Sequence, residues 1–445
     1  MTPAGVSHCF RPGTSDCLYF AGRHVGEKHG YVKSVWVVDP VIVASYVSHW
    51  TCYRELKLTM KRRVLPGFAT TLAAVTAVSC GSSMASPPVS QGTRGPVAYV
   101  VSLGAGTVTP ILVRTGRAGP PIRVGVHPSA IAVTPNGRAA YVVNTGSGSV
   151  TPIRTATDRA GRPIRVGPRP GAIVMAPDGK TAYVADAGTG TVVAVSTATN
   201  TAGRRVYVGR SPSEMVITPN GKMLYVLSPA AGTVTPVSTR NMVSRRPIKV
   251  AGSPSAIAVT PNGKTVYVTS PGTAGRGMVT PIRTAGDIAE RPVSVGPDNG
   301  TGPSSVTITP DSRMAYVINT GAGTVTPIVT SSQRARRPIR VGDTPFTATV
   351  SPDGKLLYVV NYVSQTVTPI VTATGRAGSP IKAGHGPLVA AFTPDGSTAY
   401  VIDYGYPKSA PGTPGNTVTP INVAKGTPGK PVRVGEYPFA IAIIP

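Results

Sequence analysis

The sequence predicts an all-β fold, a closed ring of short four-stranded sheets arranged as the blades of a β-propeller. Three observations carry this. Gly (51) and Pro (46) fill over a fifth of the 445 residues, and each costs roughly 1 to 3 kcal/mol inside a helix. The 41% apolar content is enough to build a core, which excludes a disordered chain. From residue 97 onward the chain repeats itself, with Tyr in the frame (Ala/Val/Leu)-Tyr-Val at positions 99, 141, 183, 225, 267, 316, 358 and 400. The interval is 42 residues throughout, except for 49 between Tyr267 and Tyr316. Such self-similarity marks a solenoid, a propeller or an array.

One unit shows the grammar. Ala130 to Pro135 (AIAVTP) is a short strand, and Pro135-Asn136-Gly137 follows as a turn in which Pro presets φ and Gly takes the left-handed position. Ala139 to Asn144 (AAYVVN) is apolar enough to be covered on both faces. After Thr145 to Gly148, Ser149 to Ile153 (SVTPI) is a third strand; the polar stretch Arg154 to Arg162 then leads to a fourth, Pro163 to Gly167 (PIRVG). Four strands per repeat of this length is a propeller blade. Second, third and fourth strands each occur eight times, whereas the first strand is out of phase: the chain opens at Val97 without one and ends on Ala440 to Pro445 (AIAIIP). The last strand is therefore expected to complete the first blade and close the ring over residues 97–445. Eight blades is the favoured count and seven the alternative. All third strands but Thr191 to Val195 carry a Pro (110, 152, 236, 281, 327, 369, 420). Proline cannot donate to a ladder, so the outer strand is expected to be short and to change its pairing there.

Tyr-Val-Val-Asn at 141–144, Thr-Val-Thr-Pro-Ile at 324–328 and Pro-Asp-Gly-Lys at 352–355 resemble the YVTN-family propeller repeat of bacterial surface-layer-like proteins. The resemblance implies the propeller fold and an exported protein. It implies no particular chemistry, because the motif describes strands and turns.

The first residues read differently. Three of the four cysteines (Cys9, Cys17, Cys52) and both tryptophans precede residue 60, and no cysteine follows Cys80. Met60-Lys61-Arg62-Arg63, the apolar run from Val64 to Val78 and the small residues around Cys80 form a signal peptide over 60–80, with 81–96 as a linker. The end of that segment resembles a lipobox, which makes Cys80 the candidate lipidation site; cleavage after Ala85 instead would release a soluble protein. Residues 1–59 then read as an upstream extension, in which Cys9, Cys17, His24, His29 and Cys52 fit no compact zinc spacing. The protein is accordingly expected to be exported, either lipid-anchored to the outer side of the membrane or secreted.

No G-x-S-x-G elbow, H-E-x-x-H helix, P-loop or dinucleotide fingerprint is present. Extra residues near 270–277, 298–302 and 403–416 fall in loops that share one end of a propeller, and insertions in repeat proteins collect on binding faces. On that end, Asp343, His385, Glu436 and His127 occupy the loops entering four neighbouring blades, with Asn361, Tyr362, Asp403, Tyr404 and Tyr406 on adjoining loops. Two His and two carboxylates on one arc suit a divalent cation or acid–base work; the same residues also suit solvated turns. No other cofactor is expected.

Beyond residue 80 there are 35 Lys and Arg against 13 Asp and Glu. Many lie on or before the fourth strand, where alternating Ile-Arg-Val turns charge to solvent and discourages edge pairing; a basic rim also draws polyanions. The expected function is thus a non-enzymatic, monomeric scaffold that binds a cell-wall polymer, another anionic envelope polymer or a protein partner. Membrane association is expected only through a lipid anchor. Nucleic acid is disfavoured by export and by the shortage of stacking aromatics. The alternative is a lactonase-like hydrolase or lyase with its site on the insertion-bearing face.

Overall fold

The computed structural model describes residues 95–271, 276–297, 302–405 and 415–444. The extension, the signal segment with Cys80, the loop stretches 272–275 and 298–301, and 406–414 with Tyr406 lie outside the described residues.

Eight antiparallel sheets make the ring, which decides for eight blades. In the second blade the strands run outward in chain order as Pro128–Val133, Ala139–Asn144 and Ser149–Arg154, followed by the outer edge. The inner strands pack on one another around the axis, through Pro170–Met175, Glu214–Ile217, Ala256–Val259, Pro303–Ile308, Pro345–Val350 and Pro387–Phe392 to Pro438–Ile444, which meets Pro128–Val133 again. Pro438–Ile444 also pairs antiparallel with Val97–Ser102, with Tyr99 opposite Ala442. The two ends of the propeller sequence thus share one sheet, and the ring closes as expected.

The second strands are the most buried. All six residues of Val97–Ser102 are buried, and the eight tyrosines of the repeat are at most 5% exposed. The core lies between blades: Tyr99, Val101 and Val108 of the first blade pack against Ala140, Val142 and Ile153 of the second. Each fully buried Val or Ile side chain contributes about 1.5 to 3 kcal/mol, and repeating this contact around the ring is what holds flat sheets face to face. Inner strands are covered less evenly: Ile131, Ala132 and Val133 are partly exposed, whereas five of the six residues of Pro387–Phe392 are buried.

The outer edge differs from a single fourth strand. In seven blades it comes in two pieces; in the second blade Arg159–Ala160 pairs with Ile153 and Arg154, and Ile164–Arg165 pairs with Ser149 and Val150. The first piece falls inside the polar stretch 154–162, which was not expected to pair. Pro152 sits between the paired segments, where it offers no N–H, while its carbonyl accepts a 2.7 Å hydrogen bond from Gly161 N–H. The third blade has Ala194 at that position, and its outer strand runs unbroken as Thr201–Tyr207. One imino acid per blade decides whether the edge is continuous.

At the end of the ring where first and second strands turn, Asn136 Oδ1 accepts from Thr134 Oγ1 (2.8 Å) and from Arg138 N–H (3.0 Å). Gly137 holds φ 65°, the left-handed conformation that the Pro-Asn-Gly reading requires. The turn recurs with Pro followed by Asn or Asp, although Ser312 (φ 62°) stands for Gly in the sixth blade and Ala176 for Thr in the third.

Candidate functional site

The loops after second strands and the loops entering the next blade meet at the other end of the ring. Thr145 N–H donates to His127 O (3.1 Å), Gly405 N–H to His385 O (2.8 Å) and Gly104 N–H to Glu436 O (3.2 Å). The described strand ends Ser270, Pro303 and Asp403, which flank the insertions, lie at this end, as the repeat phasing implies.

His127, Asp343, His385 and Glu436 are all exposed there, one in each of four adjacent sectors. His127 stands one position further along its loop than the other three, at φ 49°, where Thr344, Gly386 and Tyr437 (φ 53°, 59° and 52°) stand in theirs. Among the described residues, no three His, Cys, Asp or Glu side chains are grouped to hold a metal ion.

Asn361, Tyr362 and Asp403 are buried instead. Asn361 and Asp403 end second strands, at the register held elsewhere by Ser102, Asn144, Asp186, Ser228, Ser270 and Asn319, and all eight are at most 2% exposed. The Asn and Asp side chains among them latch the loop entering the same blade, or the third strand, to the second. Asn144 Oδ1 accepts from Gly125 N–H (2.9 Å), and Asp186 Oδ1 accepts from Arg169 N–H (2.8 Å). Asn361 Nδ2 donates to the hydroxyls of Thr366 (3.1 Å) and Thr368 (2.9 Å). Asp403 accepts from Gly384 N–H (2.9 Å), Thr417 Oγ1 (2.9 Å) and Thr419 Oγ1 (2.7 Å). Burial raises its carboxyl to about 6, outweighing the hydrogen bonds from Thr419, Thr417 and Gly384 and the nearby His385. The recurrence of a small polar residue every repeat was the sequence signal for this latch.

An aromatic cluster links the eighth blade to the first. The Tyr404 ring lies 5.4 Å from Tyr437 and 6.2 Å from Phe439, and burial raises the Tyr404 phenol above its ordinary range. The Tyr362 hydroxyl donates to Gly405 O at 3.3 Å. Tyr437 and Phe439 were not singled out from the sequence, because they join this cluster only when the last strand closes the ring.

The strongest electrostatic feature is the outer wall. The eight outer-edge segments (113–125, 155–167, 197–209, 239–251, 284–297, 330–342, 372–384 and 423–435) hold 22 Lys and Arg against three acids, Asp158, Asp287 and Glu290. Arg117, Arg123, Arg162, Arg165, Arg204, Arg205, Arg246, Arg336, Arg337, Arg340 and Arg433 are all exposed on it. Nearly the whole positive excess of the chain beyond residue 80 therefore faces outward around the circumference. Between the outer hairpins of the fourth and fifth blades, Arg245, Arg246, Pro247, Ile248, Gly286 and Asp287 line a cleft of about 280 Å³. Arg245 Nη1 pairs there with Asp287 Oδ2 at 2.7 Å.

The architecture defines the class, an eight-bladed β-propeller. No protein-family model and no curated protein matches the sequence. Solved structures that the chain is similar to are propeller proteins. The dihydro-heme d1 dehydrogenase NirN matches over 80% of this chain and 77% of its own, with a TM-score of 0.66 and 14% identity. AztD from Citrobacter koseri matches over 79% and 98%, with a TM-score of 0.58 and 13% identity. A putative 6-phosphogluconolactonase from Bacteroides fragilis NCTC 9343 matches over 81% and 100%, with a TM-score of 0.54 and 16% identity. At these identities the likeness is one of fold.

Proposed function

We propose that this chain is an exported, non-enzymatic propeller of the YVTN, surface-layer-like type, which holds an anionic polymer of the cell envelope against its outer wall. The observation that supports this is the imbalance of 22 cations to three acids on the outer edge. Solubility and edge protection require charge there, but not charge of one sign. A ring of exposed Arg and Lys gives a polyanion a continuous track and no deep pocket to enter, so it selects by charge density and not by shape. The loop-bearing end, with its Tyr404, Tyr437 and Phe439 cluster, supplies a second surface on the same rigid platform.

The test is binding of the purified propeller to polyphosphate and to isolated cell-wall material over a salt series. Affinity is expected to fall steeply as salt rises, since the screening length shrinks from about 10 Å at 0.1 M to about 3 Å at 1 M. Arg123→Glu, Arg165→Glu and Arg340→Glu together should weaken binding at low salt. Salt-independent binding overturns the reading. The competing reading, a lactonase-like hydrolase or lyase on the loop-bearing end, wins if the protein turns over a lactone or an anionic saccharide and His127→Ala with His385→Ala abolishes it.

A further inference from the structure

The third blade breaks the rule of the outer edge. Seven blades have Pro in the third strand and an outer edge split into two pieces, each of two residues apart from Val293–Pro297 in the fifth; the third blade, with Ala194, has the single seven-residue outer strand Thr201–Tyr207. Five of its first six residues and Tyr207 are exposed. Its ladder is antiparallel, with Arg205 opposite Val193, Val206 opposite Val192 and Tyr207 opposite Thr191. Val208 N–H donates to Gly190 O, which fixes the alternation: Val206 turns its backbone groups inward, while Arg205 and Tyr207 turn both N–H and C=O to solvent. A run of unmet donors and acceptors at a sheet edge is a template for another strand.

We propose that the outer edge of the third blade is a docking site for an acidic, extended peptide segment of a partner protein, which adds to the sheet as a further strand. Charge complementarity selects this occupant. Arg204 and Arg205 lie adjacent on the edge, with Arg240 on the neighbouring outer hairpin, and segment 197–209 holds no acid. Arg204 Nη1 donates to Asn241 O at 3.1 Å, which holds that guanidinium beside the next blade. Tyr207, 61% exposed, offers a ring for an apolar side chain of the incoming strand. A second copy of the same edge would set Arg against Arg, so the edge repels itself while attracting an acidic strand. The register shifts between Val193 and Val195, so Arg205–Tyr207 is one regular ladder segment and Thr201–Ala202 another.

The experiment compares two fluorescein-labelled peptides of equal length and charge, one alternating Glu with Val and one alternating Glu with Pro, by anisotropy at fixed salt. The Glu-Val peptide is expected to bind roughly tenfold or more tightly, because only it supplies backbone donors at every position. Ala194→Pro, which restores the residue that seven blades already carry, should erase that preference while leaving polyphosphate binding intact. Arg204→Glu combined with Arg205→Glu should also erase it, through charge and without any change to the third strand. Equal affinity of the two peptides for the native protein overturns the proposal, as does a preference that survives both variants. Concentration-dependent dimerisation that Ala194→Pro removes also overturns it, by assigning the edge to a second copy. None of these outcomes depends on whether the wall as a whole holds a polyanion.

Discussion

Tyr99 Oη lies 2.6 Å from Asp158 Oδ1, and so bonds the second strand of the first blade to the outer hairpin of the second. The same reach recurs from Tyr141 to Asn200 Oδ1 (2.7 Å), from Tyr225 to Asp287 Oδ1 (2.6 Å) and from Tyr267 to Gln333 Oε1 (2.9 Å). Each acceptor sits at the left-handed position of its hairpin, with φ between 52° and 55°. In these four blades the ring fills the inter-blade core while the hydroxyl staples the next blade. Burial raises the phenols of Tyr141, Tyr225 and Tyr267, the last to about 12, so these stay protonated donors.

Tyr99→Phe is expected to destabilise the propeller by about 1 to 2 kcal/mol, since it removes a buried donor and leaves the Asp158 carboxylate short of a partner. A double-mutant cycle with Asp158→Ala, read by denaturant unfolding, should give a coupling of about 1 kcal/mol. A coupling of zero would show that the bond to Asp158 adds nothing to stability, the hydroxyl keeping its contact with Thr155 O (3.3 Å).

Asp403→Asn should stabilise the protein at neutral pH. The native carboxyl has its folded value raised to about 6, above the ordinary carboxylate value of 3.8. Ionising it therefore costs stability as pH rises from about 4 to about 6, and the cost stays constant above that window. Asn361 occupies the same register and donates from Nδ2 to the matching threonine hydroxyls, so Asn fits with the Thr417 and Thr419 hydroxyls turned to accept. The gain should be near zero at pH 4 and reach about 1 to 3 kcal/mol by pH 7. Unfolding curves at several pH values check both the sign and the window.

The ring was legible in the sequence because each blade repeats its Tyr-Val strand, its turn and its Pro, and a period repeated eight times leaves little freedom in topology. Pro152 and its equivalents marked where the outer pairing changes, but not that a paired piece, Arg159–Ala160 in the second blade, precedes the fourth strand. The candidate site was less legible. Asn361 and Asp403 were grouped with exposed loop residues because a strand end and a loop start look alike in sequence; burial separates them. The tyrosine staples were hidden for another reason. Their acceptors lie 59 residues away for Tyr99 and Tyr141 and differ in type, as Asp158, Asn200, Asp287 and Gln333. Only the left-handed turn that presents them is shared, and no single residue type encodes it. Other blades show the tolerance: Met242 (φ 52°), Gly375 (φ 67°) and Gly426 (φ 60°) stand at that position.

Deleting Pro438 to Pro445 should cost far more than the loss of a terminal strand normally does. In this ring the segment is the inner strand of the first blade, paired with Val97–Ser102 across the whole register from Val97 opposite Ile444 to Ser102 opposite Pro438. Its Ala440 and Ile444 also belong to the core shared by the first two blades. Without it, Tyr99 and Val101 lose cover on the axial side, and the fully buried second strand becomes an exposed apolar edge, the arrangement most prone to pair with another chain. The truncated protein should therefore melt well below the parent and associate at concentrations where the parent stays monomeric. Calorimetry and analytical ultracentrifugation read these two effects separately. A truncated chain that kept the parent's melting temperature would mean that the first blade is held by its neighbours alone, and that closure by the last strand contributes nothing to stability.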